Sequence, residues 1–252
     1  MSDTAQRTLV IIPAWNEAAS VGVVVADVTA RGFDVLVVDD GSTDATSAIA
    51  ERAGATTLPL PVNLGVGAAL RCGFRYALEH GYDSVVQVDA DGQHPSDSIL
   101  VLVDEARATG AHLLTGSRFA SGEAGMRVSL SRRFVMWLLA RSASRATGTR
   151  ITDASSGFRF IREPLLSQFA RSFPAHYLGD TYEAVVTAGR AGYVVREVSV
   201  EMRDRTHGTS SVSPAEATRL TLRAAIVAGT HLHFPVEPAP PQAAAVRADS
   251  LT

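Results

Sequence analysis

The sequence predicts an α/β fold in which a mostly parallel sheet is flanked by helices and followed by a C-terminal region of different character. Over residues 8–118, short apolar runs alternate with longer stretches of helical periodicity. Alternation at this spacing is typical of βαβ units, whose strands lie parallel and are buried on both faces. After residue 118 the regular alternation stops, and loops and helices dominate the sequence.

The predicted strands of the first half are short and largely apolar: Thr8–Ile12, Asp34–Val38, Thr56–Leu60, Val85–Val88 and Ala111–Gly116. Helical periodicity bounded by polar residues or glycine predicts a helix between each pair of strands. These helices run from Ser20 as a capping residue to about Ala30, from Ser42 or Thr43 to about Ala53, from Ala68 to His80, and from about Ser96 to Thr109.

The second half is predicted to contain more helix than strand. Its predicted elements are a loop at Phe119–Met126, a helix at Leu130–Thr147, a polar turn at Thr152–Arg159 leading into a strand at Phe160–Ile161, helices at Glu163–Phe169 and Tyr182–Gly189, a strand at Tyr193–Glu201 and a helix at Pro214–His231. The segment from Pro235 onward is rich in Pro and Ala, a composition typical of disorder. We therefore predict one folded domain over residues 1–234, with halves at about 8–118 and 119–234, and a disordered tail over 235–252.

Composition describes an ordinary globular protein, and it excludes several function classes. The formal net charge of −3 offers no overall attraction for nucleic acid. Cys72 is the one cysteine, which excludes an internal disulfide and a cysteine-based zinc site and fits a reducing cytoplasm. Residues 1–7 lack the apolar core of a signal peptide, and no apolar stretch reaches the roughly 20 residues that span a bilayer. Because the chain has no lysine, any phosphate would be bound by arginine.

The most informative stretch is the apolar run Val85–Val88, which ends in Asp89 and Asp91 and is followed by Gly92. Two carboxylates at the end of a buried strand can converge on one hard cation. Mg²⁺ and Mn²⁺ prefer oxygen ligands, and Mg²⁺ commonly combines one or two carboxylates with substrate phosphates. The same residues are also compatible with a solvated Asp-Gly turn after a strand.

Two further predicted strands also end in polar groups. Pro13 and Glu17 follow the first strand, and Asp39 and Asp40 follow the second. Because ligands of parallel sheets bind at the carboxyl ends of the strands, three strand ends would face one crevice, which favours the metal–diphosphate interpretation. The chain lacks both the Gly-rich turn of a dinucleotide site after the first strand and a P-loop, so bound phosphates would need the metal and arginines.

Four motifs in this order resemble family 2 glycosyltransferases: Ile12–Glu17 (IPAWNE), Val37–Asp44 (VVDDGSTD), Asn63–Gly67 (NLGVG) and Asp89–His94 (DADGQH). Three more resemble the dolichyl- or polyprenyl-phosphate mannosyltransferase branch: Gly116–Arg118 (GSR), Ser131–Arg133 (SRR) and Asp153–Arg159 (DASSGFR). The resemblance covers roughly residues 8–211 and implies a GT-A fold, a nucleotide-sugar donor and an acceptor-side region in the second half.

The resemblance also implies a role for each matching residue. The nucleotide would be bound by Pro13, Trp15, Asn16, Glu17, Asp39, Asp40, Gly65, Asp89 and Ala90. One carboxylate of the Asp39–Asp40 pair would contact the base and ribose, and Asp40 is favoured. Mg²⁺ or Mn²⁺ would be held by Asp89, Asp91 and Gln93. The acceptor would be bound by Arg118, Arg132, Arg133, Asp153 and Ser156, with Arg132 and Arg133 as competing candidates for its phosphate.

The implied reaction is inverting, metal-dependent transfer of a hexose, with GDP-mannose and UDP-glucose as the leading donors. A polyprenyl-phosphate acceptor is already anionic and needs placement rather than a base, so Asp89, Asp91, Arg118 and Arg132 would carry the chemistry. A hydroxyl of a glycan or small molecule would instead need a carboxylate base. Asp180 is the candidate for that base, and its alternative role is a helix cap.

Two other function classes remain open from the sequence. A nucleotidyltransferase also uses metal-binding carboxylates on an α/β sheet, but the basic Gly-rich loop expected after its first strand is missing. A non-catalytic nucleotide-sugar-binding protein is the second alternative. We expect no nucleic acid partner and a cytoplasmic protein that contacts the inner face of a membrane peripherally; the sequence leaves a homodimer open.

Overall fold

The computed structural model of the chain describes residues 7–117, 130–174, 179–201 and 234–241, with the backbone alone at 130–135 and 179–180. The strands are β1 Thr8–Ala14, β2 Asp34–Asp39, β3 Thr56–Pro59, β4 Ser84–Gln87, β5 Leu113–Ser117, β6 Arg159–Arg162 and β7 Val195–Ser199. The helices are α1 Val21–Thr29, α2 Thr46–Arg52, α3 Val66–Glu79, α4 Ser96–Thr109, α5 Leu130–Thr147, α6 Leu165–Ser172 and α7 Gly179–Arg190.

The strands form one mixed sheet in the order β3-β2-β1-β4-β6-β5-β7. Every neighbouring pair is parallel except the two that include β6, which runs antiparallel to both β4 and β5. Helices flank the sheet, as the alternation of the first half predicts. The predicted α/β fold class with a mostly parallel sheet is therefore confirmed.

The central strands are apolar on both faces because helices cover both sides of the sheet. Val10, Ile11 and Ile12 are all fully buried, yet successive residues of a strand point to opposite faces. Ile11 belongs to the core beneath α3 and α6, whereas Val10 and Ile12 belong to the core beneath α1 and α4. A strand covered on both faces needs a continuous apolar run rather than alternation.

Two expectations need correction. Helix α2 begins at Thr46 rather than at Ser42 or Thr43, because those two residues form the turn that follows β2. The expectation of a disordered tail from residue 235 is wrong for residues 235–241. In this segment the Ala239 amide donates to the Ala191 carbonyl at 2.7 Å. Just before the segment, the ring of Phe234 packs on that of Phe169, with centroids 5.7 Å apart.

Other predicted elements cannot be compared with the structure. The loop Phe119–Met126 and the helix Pro214–His231 lie outside the described residues, as does the tail beyond residue 241. Among the residues that are described, no helix is both long enough and apolar enough to cross a bilayer.

Candidate active site

The carboxyl ends of β2, β1 and β4 lie side by side at one edge of the sheet. Ala14 at the end of β1 is in register with Asp39 at the end of β2, and the Asp40 amide donates to the Ala14 carbonyl at 2.8 Å. On the other side of β1, the Val88 amide donates to the Ile11 carbonyl at 3.0 Å. The three strand ends that carry the predicted nucleotide and metal residues therefore meet, as parallel strands require.

The loop after β1 is fastened to the turn after β2. Asn16 has a left-handed backbone with φ of 55°, a conformation that Asn tolerates better than most residues. Its side-chain oxygen accepts from the Thr43 amide at 2.9 Å, and its own amide donates to the Ser42 hydroxyl at 2.9 Å. Next to it, the Glu17 amide donates to the Thr46 hydroxyl at 2.9 Å. Trp15 projects from this loop and is half exposed.

Asp39 and Asp40 are both buried, and their carboxylates serve different neighbours. Asp39 accepts from the Ser42 amide at 2.8 Å and so closes the turn after β2. Asp40 accepts from the Leu64 amide at 2.7 Å and the Gly65 amide at 2.8 Å. Asp40 therefore draws the loop before α3 to the edge where β1 and β2 end, and it places the predicted nucleotide residue Gly65 there.

Gly41 permits this close approach. Its φ is +72°, and a Cβ at this position would lie 2.6 Å from the Val62 carbonyl carbon. Any side chain would both strain the left-handed backbone and displace the loop that Asp40 holds. Pro13, at the end of β1, is half-buried at the same edge.

Asp44 adds another link between the first two strand ends. Burial works to raise the pKa of its carboxyl, but hydrogen bonds from Thr46 and from the Ala18 amide outweigh it and lower the pKa. The Ala18 amide donates to Asp44 at 3.2 Å. The anionic carboxylate therefore holds the start of α2 against the loop before α1.

The predicted metal ligands lie in the 89–94 loop, the residues Asp89–His94 that follow β4. The side chain of Asp89 is 44% exposed, whereas Asp91 is 8% exposed and accepts from the Gln93 amide at 3.0 Å. Ala90 between them is buried. A Cβ at Gly157 would lie 3.2 and 3.3 Å from the two Asp89 oxygens, so a side chain at this position would crowd the carboxylate.

These residues fit a hard divalent cation. The described residues contain no cluster of three His, Cys, Asp or Glu side chains that could enclose a metal. Two carboxylates, one of them on a partly exposed side chain, suit Mg²⁺ or Mn²⁺ that takes its remaining ligands from a diphosphate and water. Gln93 is half-buried beside Asp91.

The 152–158 turn, residues Thr152–Phe158, contains the predicted acceptor residues Asp153 and Ser156. Asp153 is 3% exposed, and its carboxylate accepts from the Ser155 amide at 3.0 Å and the Ser155 hydroxyl at 2.7 Å. The Ser156 hydroxyl accepts from the Phe158 amide at 3.3 Å. Both side chains thus shape the turn itself.

Glu197 on β7 anchors this turn, and the sequence analysis missed it. Its carboxylate accepts from the Thr152 amide at 2.8 Å, the Thr152 hydroxyl at 2.5 Å and the Asp153 amide at 2.9 Å. The signal available in the sequence was a charged residue inside a predicted strand. That signal does not identify a partner more than 40 residues away in the chain.

Four predicted residues have no described side chain. Arg118 lies outside the described residues, Arg132 and Arg133 lie near the start of α5, and Asp180 is the second residue of α7. Their roles remain predictions. Ser117, the last residue of β5, is buried, and its hydroxyl lies 3.0 Å from that of Thr152, which places the chain just before Arg118 beside the 152–158 turn.

The sequence model of the family described as Glycosyl transferase family 2 matches residues 9–169, more than half of the chain. The chain belongs to glycosyl transferase family 2. It is a glycosyltransferase, and the resemblance to the polyprenyl-phosphate mannosyltransferase branch is confirmed by two curated relatives. One is the polyprenol monophosphomannose synthase of Mycolicibacterium smegmatis, 35% identical over 82% of each chain. The other is the undecaprenyl-phosphate mannosyltransferase of Micrococcus luteus, 30% identical over 82% of this glycosyltransferase and 88% of the relative.

A solved structure supports the GT-A fold of the glycosyltransferase. The glucosyl-3-phosphoglycerate synthase of Mycobacterium tuberculosis, in complex with Mn²⁺, UDP-glucose and phosphoglyceric acid, superposes with a TM-score of 0.68. The match covers 89% of this chain and 80% of that one at 21% identity. At this identity the likeness shows the fold alone.

Proposed function

We propose that this glycosyltransferase moves a hexose from a nucleotide-diphosphate sugar to a polyprenyl phosphate, with inversion and with a divalent cation. Mannose from GDP-mannose is the first candidate because both curated relatives are named for mannosyl transfer involving polyprenol or undecaprenyl phosphate. UDP-glucose is the alternative donor. The observation that carries the proposal is the meeting of the three polar strand ends of β1, β2 and β4 at one edge of the sheet.

The donor's nucleotide fits the edge formed by β1 and β2. Trp15, Val62 and Leu64 all expose apolar side chains around this edge, and Asp40 joins the loops that carry them. A nucleobase could pack on such apolar surface while its polar edge and the ribose meet Asp39, Asp40 or Glu17. This arrangement supports the nucleotide residues that the resemblance implies.

The diphosphate fits the 89–94 loop. When bound, Mg²⁺ or Mn²⁺ would offset the negative charge that develops on the departing diphosphate. Asp89, Asp91 and Gln93 are the residues that would hold the cation, and the exposure of the Asp89 side chain would allow a diphosphate to reach it.

The acceptor would approach from the side of the 152–158 turn. A phosphate oxygen of the polyprenyl phosphate attacks the anomeric carbon, and a new carbon–oxygen bond forms on the face opposite the diphosphate. The bond from the anomeric carbon to the diphosphate breaks, and the nucleoside diphosphate leaves with the bonding electrons. Because the attacking phosphate is already ionised at neutral pH, the reaction needs no general base, and Arg118 with Arg132 or Arg133 would orient the acceptor.

The exposed side of α5 supports peripheral contact with a membrane, where a polyprenyl phosphate resides. This helix contains four arginines and no acidic residue. Trp137 is 56% exposed, and the guanidinium of Arg141 lies 5.8 Å from its ring centroid. Trp and Arg side by side suit the interface between anionic headgroups and acyl chains.

The test is transfer of labelled mannose or glucose from GDP-mannose or UDP-glucose to polyprenyl phosphate, with Mn²⁺, with Mg²⁺ or with EDTA. We expect butanol-extractable labelled lipid from one donor only, dependent on metal, with the anomeric configuration inverted in the NMR spectrum of the product. Asp91→Asn should abolish this transfer.

The alternatives make different predictions in the same assay. Transfer only to a water-soluble hydroxyl acceptor, lost in Asp180→Asn, would replace the lipid-phosphate acceptor. A mild effect of Asp180→Asn on lipid-phosphate transfer is expected here because no base is needed. Donor binding without turnover of either acceptor class would instead favour a non-catalytic nucleotide-sugar-binding protein.

A further inference from the structure

The 152–158 turn and the 89–94 loop lie side by side because of one antiparallel pairing. Arg159 at the start of β6 is in register with Gln87 at the end of β4, and its guanidinium Nε donates to the Gln87 side-chain oxygen at 2.8 Å. Both side chains are buried. The chain therefore enters β6 at the same edge of the sheet at which it leaves β4. As a result, the 152–158 turn lies against the 89–94 loop at two positions.

Gly157 makes the first of these contacts. A Cβ on this residue would lie 3.2 and 3.3 Å from the Asp89 oxygens and 3.3 Å from the side-chain nitrogen of Gln87. Its φ is not in the left-handed region, so a side chain here would be opposed by these close contacts rather than by the backbone conformation. The 152–158 turn thus limits where the Asp89 carboxylate can lie.

His94 and Phe158 make the second contact. Their rings stack with centroids 4.6 Å apart and planes 12° apart. The His94 side chain is 4% exposed, and its Nε2 lies 3.4 Å from Asp89 Oδ2. A Cβ at Gly116 on β5 would lie 2.6 Å from the Phe158 ring, so β5 confines Phe158. Phe158 therefore fixes the plane of the imidazole, and the imidazole faces the carboxylate.

The second ring nitrogen of His94 gives no reason of its own for burying an imidazole at this position. Its Nδ1 is buried and has no hydrogen-bond partner among the described residues. Burying a polar atom without a partner costs free energy that an apolar residue would not lose. The polar interaction that the imidazole makes at this position is the one between its Nε2 and Asp89.

We propose that His94, oriented by Phe158, is a positioning residue that sets the Asp89 carboxylate for the metal and the donor diphosphate. With a proton on Nε2, the imidazole donates to Asp89 Oδ2. This contact restrains the orientation of the carboxylate, and Gly157 adds no side chain that would displace it. The inference rests on the proposed function, since it assigns a partner to one of the proposed metal ligands.

The test measures the affinity of GDP and of UDP by calorimetry in EDTA and in Mn²⁺, together with the free Mn²⁺ signal by electron paramagnetic resonance. His94→Phe keeps a ring on Phe158 but removes the donor. In the wild type we expect Mn²⁺ to increase nucleotide affinity. In His94→Phe this increase should be at least tenfold smaller, which is the usual effect of removing a residue that orients a metal ligand, and the affinity in EDTA should be unchanged. Gly157→Ala should act in the same direction, and His94→Gln, which retains a donor, should keep more of the Mn²⁺ effect than His94→Phe.

His80→Phe is the matched control, because His80 stacks on Tyr76 at 3.8 Å at the end of α3 and is exposed. It should behave as the wild type. An unchanged Mn²⁺ effect in His94→Phe, equal losses in EDTA and in Mn²⁺, or His94→Phe closer to the wild type than His94→Gln would each overturn the inference. If Asp91→Asn loses the Mn²⁺ effect while His94→Phe keeps it, the inference alone fails. A wild type without any Mn²⁺ effect would refute the metal dependence of the proposed function and the inference with it.

Discussion

Glu197→Gln is the most specific prediction about the acceptor side. The carboxylate of Glu197 accepts hydrogen bonds from the Thr152 amide, the Thr152 hydroxyl and the Asp153 amide, at 2.8, 2.5 and 2.9 Å. Glutamine retains one acceptor oxygen and presents an NH₂ group where the second oxygen was. With its oxygen in the place of Oε2, glutamine can still accept from both backbone amides, but its NH₂ group then lies where Oε1 accepts from the Thr152 hydroxyl. The hydroxyl therefore loses its acceptor and the turn loses the negative charge of residue 197, whose shape and packing are almost unchanged.

The magnitude follows from the kind of hydrogen bond that is lost. A hydrogen bond to a charged group contributes about 1.5–3 kcal/mol, and Glu197 is half-buried, so we expect the free energy of unfolding to fall by about 2 kcal/mol. In a domain of this size that is a decrease in Tm of roughly 4–8 °C. The same free energy also sets the largest expected rise in the acceptor KM. About 2 kcal/mol shifts the equilibrium between the ordered and disordered turn by about 30-fold, so the KM should rise by no more than that factor.

The assay combines thermal unfolding, calorimetric binding of the nucleotide with Mn²⁺, and the KM for polyprenyl phosphate. We expect a higher acceptor KM with unchanged nucleotide affinity, since Glu197 touches the 152–158 turn and not the 89–94 loop. Glu79→Gln, at the exposed end of α3, is the matched control and should change none of these quantities. A Tm equal to that of the wild type, or equal losses of nucleotide and acceptor affinity, would refute the reasoning.

Three further predictions concern other parts of the molecule. Asn16→Ala should destabilise the protein by about 1–2 kcal/mol and weaken nucleotide binding, because alanine strains the left-handed backbone; Asn16→Gly should lose less in chemical denaturation. Burial, aided by Arg162, lowers the pKa of His112 to about 4 from its ordinary 6.5. As the pH falls, the unfolded chain therefore takes up a proton on His112 before the folded chain does. The free energy of unfolding should fall by about 2 kcal/mol between pH 7 and pH 5, and His112→Gln should show a smaller decrease. Arg132→Ala should impair transfer to phosphate acceptors in the turnover assay with donor affinity retained, and equal loss of both would contradict its acceptor role.

Several features of this protein followed from local sequence patterns. The interiors of β1 and β2 are continuous apolar runs, and β4 is buried along its whole length, because helices cover both faces of the sheet. Their polar ends could be placed at one edge because parallel strands share a direction. The motifs around Asp40 and Asp89 led to the family, and the family match confirms it.

The tertiary structure alone decided how the two halves of the site meet. Arg159 pairs with Gln87 across 72 residues of chain, and Glu197 reaches Asp153 across 44. Periodicity describes neighbours along a helix or strand, so it cannot say which distant strand enters beside β4 or in which direction. The antiparallel insertion of β6 places Phe158 on His94 and Gly157 on Asp89, and it depends on the packing of the whole sheet. The residue types at the site were therefore readable from the sequence, whereas their partners were set by strand pairing between distant segments.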